Sequence, residues 1–95
     1  MQYTIDESKN GDFSDFQNLP YVDILNIDDL TMPKGVVFDN LPPTITEINI
    51  NTLWAIGAGG LIKDGMYAGS KTLKEFIKKI FPNRPFGCEI YMKDY

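Results

Sequence analysis

Histidine is absent from this 95-residue chain, which removes the commonest general base and metal ligand together. Cys88 is the single cysteine, so it has no partner for an intrachain disulfide and no histidine to activate it. In a strand such a residue is expected as a small buried hydrophobe. Two segments have the composition of an anion-binding loop. Gly57-Ala58-Gly59-Gly60 lies between a strand pattern and a helix pattern, and Gly69-Ser70-Lys71-Thr72 stands at a helix start, where backbone N–H groups attract anions. Neither has the G-x-G-x-x-G spacing or a Gly-Lys-Ser/Thr step, so tight turning is the expected role of both. Asp28, Asp29, Asn49 and Asn51 offer hard oxygen ligands without the spacing of a calcium loop. The chain is therefore expected not to be an enzyme, to hold no metal and to use no cofactor.

The elements that would position any binding residues are legible as a repeat. Val22, Leu25, Ile27 and Leu30 are spaced as L-x-x-L-x-L-x-x-L, and Ile45, Ile48, Ile50 and Leu53 repeat that spacing 23 residues later. Just upstream, Phe16-Gln17-Asn18-Leu19-Pro20 recurs as Phe38-Asp39-Asn40-Leu41-Pro42. Tyr3 and Ile5 fit an earlier strand centre, and Ile90 and Met92 a later one. A period of this length predicts stacked strand-plus-return units that bury their apolar face only against one another. Strands are expected near residues 2–6, 23–27, 46–51 and 88–92, parallel and in chain order. Ser14 or Asp12 is the expected cap of one helical turn containing Phe13 and Phe16.

After Leu53 the pattern changes. Residues 54–62 are apolar and glycine-rich, and residues 70–81 read as an amphipathic helix. Its apolar stripe is Leu73, Phe76, Ile77 and Ile80, Ser70 is the expected N-cap, and Pro82 is the stop.

Leu41-Pro42-Pro43-Thr44-Ile45-Thr46-Glu47-Ile48-Asn49-Ile50 fits the Leu-Pro step and strand of a bacterial-effector repeat, and Leu19 to Ile27 fits with one residue fewer. The chain thus resembles a short, divergent leucine-rich repeat protein of bacterial-effector or viral type. The resemblance implies an α/β domain over residues 1–95: a small leucine-rich-repeat-like parallel sheet of about four strands, with one amphipathic helix near the C-terminus. It also implies that the strand face binds other proteins.

Alternation places three rows on that face: Thr4, Asn26, Asn49 and Tyr91; Asp6, Asp28, Asn51 and Lys93; and Gln2, Ile24, Glu47 and Glu89. The partner-binding candidates are Thr4, Asp6, Asn26, Asp28, Glu47, Asn49, Asn51, Tyr91 and Lys93. Residues 1–62 hold nine acids against Lys9 and Lys34, whereas residues 63–95 hold seven bases against four acids. An acidic face does not suit a nucleic-acid backbone, which needs Lys and Arg. The expected function is a protein-interaction module, a stand-alone inhibitor or adaptor. The alternatives are a binder of small anions or nucleotides at the glycine-rich loop, and an acidic mimic of nucleic acid. Self-association through the strand at residues 2–6 is expected from its open edge. No apolar run spans a membrane and no signal peptide is evident, so a cytoplasmic location is expected.

Overall fold

The structure is a computed structural model that describes residues 1–94. Seven strands form a mixed, barrel-like sheet that is not quite closed: β1 (Gln2–Asp6), β2 (Ile24–Met32), β3 (Glu47–Ile50), β4 (Leu53–Ala55), β5 (Gly60–Lys63), β6 (Met66–Gly69) and β7 (Glu89–Met92). Two short helices accompany them, α1 (Glu7–Asn10) and α2 (Leu73–Ile80). The expected four-stranded, leucine-rich-repeat-like parallel sheet is therefore corrected. β1, β2, β3 and β7 do pair in parallel, but β4, β5 and β6 extend the sheet with antiparallel pairings.

The extra strands follow from a phase change in the apolar pattern. In β2, Leu25 and Ile27 are two apart, but Leu30 and Met32 fall one residue out of phase with them. A straight strand would send the second pair to the opposite face. All four are fully buried, so the strand must bend, and it does so at Asp28-Asp29. The pairing with β1 slips by one residue at the same level, Asp6 lying opposite Asp29 so that Asp28 of β2 is passed over. β3 and β4 repeat the device, with Ile48 and Ile50 on one side of Asn51-Thr52 and Leu53 and Ala55 on the other. β2 thus pairs with β3 before the corner and with β4 after it.

Beyond the corner, the glycine-rich stretch is two hairpins. A single 3-10 turn at Ile56–Ala58, closed by Gly59 in the left-handed region, joins β4 to β5. Asp64 and Gly65, both at positive φ, join β5 to β6 in the manner of a two-residue hairpin. Gly60 is packing space. A Cβ there would lie 2.4 Å from the Phe76 ring, which is how α2 comes to sit close on β5.

Two helix expectations also change. Thr72, not Ser70, caps α2: its hydroxyl accepts from Glu75 N at 3.2 Å and donates to Glu75 Oε1 at 3.0 Å. Phe76, Ile77 and Ile80 of the stripe are buried as expected, whereas Leu73 is only half-buried. The short helix near the N-terminus is α1, capped by Asp6, and no helix forms over residues 12–16.

Behind the parallel strands runs a ladder of aromatic rings, Tyr3–Phe13–Phe16–Phe38–Phe81. Its centroid steps are 5.0 to 6.3 Å, and Phe38 stacks on Phe81. The last rung exposes a third copy of the turn motif. Phe81-Pro82-Asn83-Arg84-Pro85 matches the F-x-N-x-P of residues 16–20 and 38–42. Asn40 donates to the Gln17 carbonyl and Asn83 to the Asp39 carbonyl, each at 2.8 Å, so each unit's asparagine clips it to the unit before. Pro42 O and Pro85 O accept from Ile45 N and Cys88 N in the same turn at 3.1 Å.

Candidate functional site

The parallel strands bring one predicted row together in register. Thr4 lies opposite Asn26, Asn26 opposite Asn49, and Asn49 opposite Tyr91. The row is tied by its side chains. Asn26 Nδ2 donates to Gln2 Oε1 at 3.1 Å and makes a longer 3.4 Å contact with Thr4 Oγ1. Asn49 Nδ2 donates to Asn26 Oδ1 at 3.0 Å and to Glu47 Oε2 at 2.7 Å. The row of Gln2, Ile24, Glu47 and Glu89 is also in register.

The middle of the face is not exposed as alternation alone suggests. Asn49 is only 6% accessible, because neighbours on both flanking strands and Glu47 along its own strand crowd it. Its Oδ1 is buried with no hydrogen-bond partner. A buried acceptor without a donor is costly, so Asn49 is the least satisfied member of the row. Tyr91 is 43% exposed, and the Lys93 ammonium sits 5.1 Å from its ring centroid.

The second row is brought together only in part. The register slip between β1 and β2 sets Asp6 beside Asp29 rather than Asp28, and Asp6 caps α1. Asn51 is buried and structural: its Nδ2 donates to Lys93 O at 3.0 Å and its Oδ1 accepts from Thr52 at 3.0 Å, fastening the sheet corner to the end of β7. Asp28 is half-buried and Lys93 exposed. The sheet face therefore reduces to Thr4, Asn26, Glu47, Asn49, Tyr91 and Lys93, with Gln2 and Glu89 on its margin.

Sequence reasoning missed a second surface. A groove of about 470 Å3 runs between α2 and β7, floored by Leu73, Ile77, Phe81, Ile90 and Met92. Lys74, Lys78 and Arg84 stand along it. The available signal was the third F-x-N-x-P copy, which makes β7 the strand of a further unit and leaves its outer side open.

The other candidates take structural places. Cys88 is buried, and burial pushes its thiol up, away from thiolate. Among the described residues no cluster of three His, Cys, Asp or Glu side chains is placed to hold a metal. No helix among them is long and apolar enough to cross a membrane. Compared with known proteins, the chain matches no family model, no curated protein and no solved structure, so the leucine-rich-repeat resemblance rests on its own residues alone.

Proposed function

We propose that this chain is a protein-interaction module, an inhibitor or adaptor working in the cytoplasm, that docks a partner protein on the face of its parallel strands. One observation carries the reading: exposed Tyr91, with the Lys93 ammonium near its ring, ends a polar row held in register across the parallel strands. Interfaces draw on features of this kind, an amphipathic aromatic at the centre with polar groups around it. The anion-binding alternative loses its loop, because Gly60 is filled by Phe76, and Gly57 lies against the backbone of Lys34 and Gly35.

The test is capture from a native-host lysate with the wild-type chain, followed by titration of the recovered protein. Tyr91→Ala should weaken binding at least tenfold and leave the melting temperature within about one degree, since an exposed side chain contributes little to stability. Lys79→Ala, on the exposed side of α2, should bind as wild type. Equal affinity for Tyr91→Ala and wild type would remove the sheet face from the interaction.

A further inference from the structure

The two outer strands of the parallel set are complementary ends of one stack, and we infer that the groove between β7 and α2 receives β1 of a second copy of this chain. The backbone supplies the first argument. Glu89 N donates to Thr46 O, just ahead of β3, and Lys93 N to Ile50 O of β3, so the N–H and C=O groups of Ile90 and Met92 point the other way. At the opposite end, Met1 O accepts from Ile24 N, which turns the odd residues of β1 toward β2 and the groups of Gln2 and Thr4 outward. Among the described residues no strand covers either edge. A copied β1 beside β7 continues the observed register. Gln2 falls next to Glu89 and Thr4 next to Tyr91, extending the polar rows, while Tyr3 and Ile5 meet Ile90 and Met92 over the groove.

The side chains supply the second argument. Leu73, Ile90 and Met92 are half-buried along the groove at the β7 end, and Tyr3 and Phe13 are half-buried at the β1 end. Docking the two ends covers this apolar surface on both sides.

Charge supplies the third. α2 leads into Phe81 as α1 and residues 11–15 lead into Phe16, so the two segments stand at corresponding places in the stack. One carries Lys74 and Lys78 with Arg84 close by, and the other carries Asp12 and Asp15. Opposite charges meet when the ends meet, whereas like ends repel. Such a contact is head-to-tail, so it does not close on itself and grows into short chains.

Complementation of two blocked ends tests this on the purified protein. Wild type should give a light-scattering mass that rises with concentration past the dimer, and less so in high salt. Met92→Pro removes an outward N–H at one end and Thr4→Pro removes one at the other, without touching the internal ladders. Each variant should be monomeric alone, and an equimolar mixture should form a heterodimer and nothing larger. Circular dichroism and melting checks show that the variants fold. Should Met92→Pro not fold, the exposed pair Lys74→Glu and Lys78→Glu blocks the same end. Wild type that stays monomeric at millimolar concentration would overturn the inference. So would a blocked variant that still associates with itself, or a mixture that does not associate.

Discussion

At the scale of single residues, Asn49 decides the character of the sheet face. Its amide donates to two oxygens while its own oxygen goes without a donor. An aspartate there keeps the shape and loses the donor, and it sets a carboxylate against Glu47. Asn49→Asp should cost about 1–3 kcal/mol at pH 7, as expected for a buried group left unpaired. The cost should depend on pH with a definite sign. Two carboxylates this close resist full ionisation, so the introduced group titrates higher in the folded chain than in the unfolded one. Its penalty is complete at neutral pH and fades as the pH falls through that raised value toward the unfolded one. Melting curves of variant and wild type should therefore converge near pH 4, and a constant gap from pH 4 to pH 8 would contradict the crowding described for Asn49. The burial of this residue was not legible in the sequence. Alternation tells which way a side chain leaves the strand, not how tall its cross-strand neighbours stand.

At the scale of elements, the docking of α2 on β5 depends on one missing side chain. Gly60 lets the Phe76 ring approach the strand, and Tyr67 flanks the ring at 5.2 Å. Gly60→Ala should destabilise by about 1–3 kcal/mol through overpacking. Phe76→Ala should cost about 3–5 kcal/mol through the cavity it leaves. The double variant should lose less than the sum, because the new methyl enters the vacated space, and strict additivity in urea titrations would mean the two do not touch. The amphipathic stripe of this helix and the strand centres were legible because each rests on local periodicity. The hairpins were not read from their glycines, although Asp64-Gly65 between Lys63 and Met66 is a strong hairpin signal. The cap was misplaced by two residues for a similar reason. Ser70 and Thr72 are both fit N-caps by type, and only Glu75, three residues after Thr72, tells them apart.

At the scale of the whole molecule, β2 is the shared member. It pairs with β1, β3 and β4, and its core residues Leu25, Ile27, Leu30 and Met32 are fully buried. Amide exchange should be slowest in β2 and β3 and fastest in α1, β6 and the segment 11–20. Protection tracks buried pairing on both flanks. Fast exchange at Leu25 and Ile27 with slow exchange at Met66 to Gly69 would reverse that order. The parallel register was legible at this scale because a 22- to 23-residue offset carries over directly into strand neighbours. The mixed sheet was not, since the phase slips at Asp28-Asp29 and Asn51-Thr52 look like two tolerated mismatches until both are seen to turn the same corner.

The thrice-repeated motif of ring, asparagine and proline has a consequence for how such a chain can change over time. Cutting and rejoining at the same point of two units leaves the remaining neighbours facing surfaces they already fit. A splice one residue off turns a strand's core side out to water. Variation in length is thus graded like stairs rather than a ramp. Descendants of this sequence can gain or lose whole storeys with little disturbance, while single-residue insertions are confined to the landings between them.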